Sequence, residues 1–363
     1  MSALTAPIGQ SPAYLEIDVA AIVANWRILS ARHGAPVAGV VKADGYGLGA
    51  QLVAEHLFAE GCRHFFVAHL SEALSLRAAL PGAMLAVFNG MLAGQEGVFV
   101  QHGITPVLNS LADLDAWRVH GAGHEAILHI DTGMSRLGLD QDEWAALQGD
   151  PARRAGINLA YVMTHLVSAE QHDAPVNADQ AARCAQIRAA FPGIKTSFAN
   201  SSGIFWDDIF RSDLARPGAA LYGVNPTPGR PNPMRDVVRL VAPVLQVRAI
   251  AAETPVGYNG VWIASRPSKI ATVAVGYADG YLRSLSGRAT ARFDGHPIPL
   301  VGRVSMDLAT FDVTDFPAIR PGTALELIGP GHGVDALAAE ADTNGYEILT
   351  ALGARYERRV RGL

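Results

Sequence analysis

Between residues 36 and 200 the chain alternates two textures. Short, almost wholly apolar runs read PVAGVV (36–41), HFFVA (64–68), MLAVFN (84–89), TPVLN (105–109), AILHID (126–131), LAYVMT (159–164) and TSFAN (196–200). Between them lie stretches such as AQLVAEHLFAEG, SEALSLRAALPG, SLADLDAWRVHG and ADQAARCAQIRAAF, rich in alanine and leucine and amphipathic in pattern. The runs are too short for helices and lack a polar face, which predicts parallel strands buried on both sides and covered by the intervening helices. A shorter candidate near SDLARPGAALYG brings the alternations to eight in about 230 residues, a spacing that favours a closed barrel over an open doubly wound sheet. The expectation is an α/β fold with an N-terminal (β/α)8 TIM barrel over 12–240.

From about residue 240 the pattern changes. VVRLVAPVLQVRAIAA, KIATVAVGY, ATARFDG, PIPLVGRVSMDLATFDVT and ALELIG are strand-like runs broken by Gly, Pro and Asp, with no long helix between them. They predict a C-terminal mainly-β domain over 241–363, which the first ~11 residues can join. The stretch NPTPGRPNPM (225–234) reads as the connection.

Composition narrows the function classes. Of the 363 residues, 49% are hydrophobic and 17% charged, the balance of a well-cored globular chain. The net charge of −5 is mild and no Lys/Arg stripe stands out, which argues against nucleic acid or an anionic membrane as partner. Cys62 and Cys184 lie far apart and outside any metal-ligand spacing, so neither a disulfide framework nor a metal site is expected. The apolar stretch VAAIVA is too short for a span and follows Glu16 and Asp18, so a cytoplasmic protein is expected.

In a parallel barrel, chemistry gathers where the strands end. The first run ends at Lys42 and the fifth leads into DTGMSRLG, with Asp131 and Arg136. The sixth leads to His165 and the seventh to Asn200, Ser201 and Ser202, while the eighth region places Arg216 before Pro217 and Gly218. Backbone amides at such turns, with a serine hydroxyl, can cradle a phosphate. A lysine and arginines beside that cradle point to a phosphorylated cofactor carrying an aldehyde, pyridoxal 5'-phosphate, bound through a Schiff base to the lysine. Taken singly, each residue has a plainer reading: a solvated lysine capping a strand, a hydrogen-bonded core histidine, a salt-bridged loop arginine, ordinary turn chemistry.

With these residues in view, the chain resembles the alanine racemase family, the fold-type III pyridoxal-phosphate enzymes. VVKADGYGLG, HIDTGMSRLGL, THL, NSSGI, RPGAALYG, VGYNGVW, GYADGY and VGRVSMD follow in the family's order, within a similarity running from residue 14 to residue 356. The resemblance implies an isomerase that interconverts L- and D-alanine, supplying D-alanine as a peptidoglycan precursor. Lys42 would anchor the cofactor and act at Cα from one face. Tyr258 would act from the other, reaching the site from the partner subunit of a head-to-tail homodimer. Two groups are needed because inversion removes a proton from one face and returns one to the opposite face.

The same resemblance makes His165 and Arg216 the relay that eases ionisation of Tyr258. It sets Arg216 against the pyridine nitrogen, where a fixed cation disfavours ring protonation. Arg136 would hold the cofactor phenolate and the substrate carboxylate, aided by the backbone of Met306. Tyr46, Asn200, Ser201, Gly218 and Ala219 match cofactor-binding positions, and Tyr277 matches the residue that narrows the entrance to small amino acids.

Two positions depart from the family pattern. Many members carry, two residues before the Asp of DTGM, a carbamylated lysine that braces the arginine; here it is His129, leaving either a bound anion or another support for Arg136, or a plain core histidine. Some members place a phosphate-binding tyrosine where this chain has Ala354, with Tyr356 two residues later. Other readings stay in view: a racemase of serine or of a broader set of amino acids, and a non-catalytic pyridoxal-phosphate carrier. A basic-amino-acid decarboxylase, which should show a C-terminal catalytic motif with a cysteine, is disfavoured because Cys62 and Cys184 both lie in the barrel half.

Overall fold

The computed structural model describes residues 13–206 and 209–363. The first ~11 residues, expected to join the β domain, lie outside that range. The chain divides into two compact units. One holds Ile22–Leu221 and Asn225–Arg235; the other holds the described residues up to Ala21, Tyr222–Val224 and Asp236–Leu363.

The first strand, β1 (Tyr14–Asp18), belongs to the second unit and is taken up below. In the first unit, each apolar run is a strand: β2 (Gly39–Val40), β3 (His64–Val67), β4 (Met84–Val87), β5 (Thr105–Leu108), β6 (Glu125–His129), β7 (Asn158–Met163) and β8 (Lys195–Ser197). They pair in sequence order, all parallel. The eighth position is filled by residues 214–217. Leu214 N–H donates to Thr196 O (3.2 Å) and Arg216 N–H to Ala199 O (2.9 Å) on one side. On the other, Ala215 N–H donates to Pro36 O (3.1 Å), and Ala38 N–H donates to Ala215 O (2.8 Å). This segment therefore closes the barrel, although only one isolated parallel bridge, Val37 to Ala215, is regular.

The barrel interior is plugged by side chains from seven of its eight staves, among them Val40, Phe66, Ala86, Val107, Ile127, Met163 and Leu214. Outside it, the helices bury one stripe each. In Ala50–Ala59 the buried positions are Ala50, Val53, Ala54 and Leu57, the i, i+3, i+4, i+7 pattern of a helix lying on a sheet. The proline-rich segment is not a free linker: the residue that follows it, Arg235, is held at both N (2.8 Å) and O (3.0 Å) by the fully buried Asn25, and the segment groups with the barrel.

The second unit is built on β9 (Val238–Ile250). The strand β1, counted with the barrel on sequence, pairs antiparallel with β9 and is parallel to the last strand of the chain, Glu357–Arg361. Tyr14 lies opposite both Val241 and Glu357. Its neighbours come from more than 200 residues away, which no local pattern encodes. Strands Ser268–Val273, Thr290–Phe293, His296–Pro299, Ala309–Asp312 and Ala324–Ile328 complete the eight-stranded sheet. Two short helices, Val334–Ala341 and Gly345–Ala351, accompany them. No helix among the described residues is long and apolar enough to cross a membrane.

Candidate active site

Lys42 stands immediately past β2, where the barrel strand gives way to a turn of unusual hand. Ala43, Asp44, Gly45 and Tyr46 have φ of 52°, 54°, 61° and 56°, a full left-handed turn in which three residues carry a Cβ. Such a turn costs about 1–2 kcal/mol per non-glycine residue, so other bonds must hold it. Glu72 does so, with Oε1 accepting from Ala43 N–H (2.6 Å) and Oε2 from the amides of Ala68 (2.8 Å) and His69 (3.0 Å). Asp44 Oδ1 accepts from Ala50 N–H (2.9 Å), starting the next helix. Burial, reinforced by the Arg136 cation, pushes the Lys42 ammonium below its ordinary range, with Glu72 opposing. That favours the neutral amine a carbonyl needs.

The turn swings Tyr46 to Gly218. A Cβ built on Gly218 would stand 2.1 Å from Tyr46 Oη, so glycine is required there by close approach. Ser201 Oγ accepts from the amides of Gly218 (3.1 Å) and Ala220 (3.2 Å), and Asn200 Oδ1 accepts from Gly203 N–H (2.8 Å). The Tyr46 and Ser201 hydroxyls thus both come to Gly218, at the start of the segment that includes Ala219. Hydroxyls gathered at a glycine turn are groups suited to a phosphate.

Arg216 is buried without a carboxylate partner among the described residues. Nη1 donates to Ser197 O and Ser197 Oγ (both 2.6 Å) and Nη2 to Thr164 O (2.5 Å), while Nε is buried with no partner. Burial lowers it to about 10, so it stays charged at neutral pH. The unmatched Nε–H is the donor left for an acceptor such as a pyridine nitrogen. His165 lies beyond β7, and burial, with the Arg216 and Arg136 cations, pushes it down to about 3. Of the two residues expected to form the relay, the lowered pKa of His165 leaves Arg216 as the one charged at neutral pH.

His129, at the end of β6, is also pushed to about 3, chiefly by burial and then by Arg216. Its Nδ1 lies 2.8 Å from Asn109 Oδ1, and the Asn109 amide nitrogen donates to Phe88 O (3.0 Å) and Val107 O (3.2 Å). With that amide so engaged, Oδ1 must accept, so His129 Nδ1 carries the hydrogen. The loop bearing Arg136 is pinned over this ring. Asp131 accepts from the amides of Gly133 (3.1 Å), Met134 (2.9 Å) and Ser135 (2.8 Å). A Cβ on Gly138, whose φ is +97°, would come within 2.9 Å of the His129 ring. The Arg136 side chain itself is exposed and meets no hydrogen-bonding group among the described residues. His129 therefore supports the backbone of the arginine loop, where a carbamylated lysine would brace the guanidinium.

The remaining candidates lie in the β unit. Tyr258 heads the turn Tyr258–Gly260 and is 69% exposed; with Arg303, Ser305 and Leu308 it lines a hollow of about 440 Å³. Tyr277 and Met306 are exposed neighbours: Tyr277 N–H donates to Ser305 O (3.1 Å) and Ala278 N–H to Met306 O (2.9 Å). Gly276 permits this, since a Cβ there would meet Met306 O at 2.3 Å. Tyr356 is 4% exposed with its hydroxyl buried and unpartnered, and the Asp279 carboxylate and Tyr281 phenol nearby join burial in pushing it above its ordinary range.

Asn109, Glu72, Ser197 and Thr164 escaped the sequence reading. Asn109 could have been found, because it closes the run TPVLN as Lys42 closes PVAGVV. Glu72 sits inside a helical stretch and carries no such signal.

Comparison with known proteins gives this arrangement its context. The family models for the alanine racemase N-terminal and C-terminal domains match residues 17–226 and 237–360. The alanine racemase of Acidiphilium cryptum is 58% identical over 352 residues, covering 96% of this chain and 99% of that one. A protein of Mesorhizobium japonicum named as a catabolic alanine racemase is 47% identical, covering 96% and 93%. The crystal structure of alanine racemase from Bartonella henselae with covalently bound pyridoxal phosphate superposes with a TM-score of 0.92 at 42% identity, covering 96% and 99%. With two matched domains spanning nearly its whole length and a relative well above half identical, the chain belongs to the alanine racemase family.

Proposed function

We propose that this protein is a pyridoxal-phosphate-dependent racemase that interconverts L- and D-alanine. The observation that carries the reading is the barrel end that holds a partly buried lysine of lowered basicity, the Tyr46 and Ser201 hydroxyls gathered at Gly218, and a buried arginine with an unmatched Nε–H. The residues fit the cofactor. Lys42 Nζ would hold its aldehyde carbon; Tyr46, Ser201 and the backbone at Gly218 and Ala219 its phosphate; Arg216 Nε its ring nitrogen. When bound, the cofactor lowers the cost of removing the substrate's Cα proton.

The protein's own groups do the rest. Arg136, exposed on a pinned loop, takes the substrate carboxylate, with the Met306 backbone beside it in this reading. Lys42 Nζ holds or gives a proton on one face of Cα, and the Tyr258 phenol does so on the other. Arg216 keeps the ring nitrogen unprotonated, which limits electron withdrawal and with it transamination. Tyr277 at the entrance restricts the substrate to small side chains. Tyr356 is the least supported of the expected cofactor contacts, because its hydroxyl is enclosed within the β unit.

Homodimerisation is part of the proposal. Tyr258, Val261, Ile263, Met306 and Leu308 are large side chains left 39–69% exposed on the β unit, the kind of surface an assembly covers. A second copy covering it would bring Tyr258 to the partner's lysine. Enantiomers have equal free energy in water, so one site serves synthesis and breakdown alike. We place the protein in the cytoplasm, supplying D-alanine to the cell wall.

The exposed catalytic tyrosine separates this reading from a non-catalytic carrier, which needs Lys42 but has no use for Tyr258. A chirality-resolved assay of the cofactor-loaded protein with L-alanine, L-serine, L-lysine and L-arginine tests it. D-Alanine should form fastest; no D-alanine would overturn the reading, and faster D-serine would move it to the broader racemases.

A further inference from the structure

The barrel has a second polar cavity at the end where its strands begin, opposite Lys42. It measures about 800 Å³ and is lined by the first residues of several strands, including His64, Met84, Thr105 and Lys195. The apolar plug that includes Phe66, Ala86, Val107 and Ile127 lies in the barrel interior between the two ends. The volume is in the range of small-molecule sites.

Its charge is lopsided. Arg63, Arg77 and Lys195 line it against one acid, Glu125, in a protein whose net charge is −5. None of the three cations meets a carboxylate among the described residues. Arg63 Nη1 donates to the carbonyls of Phe58 (2.7 Å) and Cys62 (2.9 Å), and Lys195 Nζ stands 6.0 Å from the Tyr161 ring centroid. Arg77 Nη1 donates to Ala83 O (3.0 Å), while its Nη2 is buried with no partner among the described residues. Asp213, which is not part of the lining, is engaged by the amide (2.7 Å) and hydroxyl (2.9 Å) of Thr196.

A phenol and three imidazoles complete the lining. The Tyr161 hydroxyl and His64 Nε2 are 3.0 Å apart, and His102 and His124 stand at the rim. Arg63 and Lys195 are exposed and Arg77 keeps a buried, unmatched Nη2–H, so the cavity offers an anion a positive potential and a spare donor. We propose that this cavity binds a small polyanion bearing phosphate or carboxylate groups. The site is separate from the racemase centre and does not depend on that assignment.

The test uses cofactor-loaded protein in a buffer free of phosphate and carboxylates, so that the phosphate hollow beside Lys42 is already filled. Calorimetric titration with pyrophosphate and with citrate at constant ionic strength should show saturable, one-site binding of at least one of them, and which one identifies the chemical class. Arg63→Ala combined with Lys195→Ala should weaken binding about tenfold or more, the scale of lost charge-assisted contacts, while racemisation stays at the wild-type rate. Lys195→Gln, an exposed single change, should shift binding the same way if the double variant loses its fold. Absence of saturable binding by both anions, or binding untouched by these substitutions, overturns the proposal.

Discussion

His129 donates from Nδ1 to Asn109 Oδ1 across 2.8 Å, and Gly138 of the arginine loop packs directly on its ring. The pair is a neutral brace, held so by burial that pushes His129 from 6.5 to about 3. Above pH 6.5 folded and unfolded chains both carry it neutral, and its contribution to stability is complete. Between pH 6.5 and 3 the unfolded chain takes up a proton that the folded one refuses, so stability falls as pH falls, by up to about 1.4 kcal/mol per pH unit. His165 adds in the same direction. His129→Gln should flatten the fall of the urea midpoint between pH 6 and 4. An unchanged slope would show that His129 titrates freely.

The left-handed turn after Lys42 rests on Ala43, which is exposed, so backbone strain can be tested there without disturbing packing. Ala43→Gly should leave thermal stability level or slightly higher. Ala43→Val, adding β-branching where φ is +52°, should cost about 1–2 kcal/mol. Equal melting temperatures for the two variants would remove the strain from the account.

Gly218→Ala places a methyl group 2.1 Å from Tyr46 Oη and should displace the tyrosine. Cofactor affinity should fall about tenfold or more, as expected for losing a hydrogen bond to a charged group. Because the effect runs through Tyr46, Gly218→Ala and Tyr46→Ala should be strongly non-additive in a double-mutant cycle read by cofactor titration. Full additivity would contradict a shared phosphate hollow.

Arg216→Glu replaces a buried cation whose guanidinium is held by Ser197 and Thr164. The bound cofactor's visible absorbance should change and slow transamination of alanine should appear, with racemisation reduced. A variant that keeps both the absorbance and the product purity of the wild type would show that Arg216 only packs.

Much of this was legible in the sequence, for reasons that can be stated. Seven barrel strands are visible because double-sided burial forces nearly unbroken apolar runs, and Lys42, His165 and Arg216 are visible because they stand where such runs stop. Tyr14–Asp18 was placed in the wrong unit because its partners, Val238–Val241 and Glu357–Arg361, are remote in the chain and leave no local trace. The left-handed turn after Lys42 has no local signal, since three of its residues, Ala43, Asp44 and Tyr46, are not glycine. What holds them is Glu72, a tertiary contact. His129 likewise could be read only once Asn109 and Gly138 were seen beside it.

Proton exchange at Cα tests the central claim most directly. In deuterated water the wild-type enzyme should invert alanine and label Cα of both enantiomers. If Lys42 and Tyr258 serve opposite faces, Tyr258→Phe should lose racemisation by a factor of about 10²–10⁴ yet still exchange the Cα hydrogen of one enantiomer without inverting it. A Tyr258→Phe enzyme that inverts alanine at the wild-type rate would contradict the account.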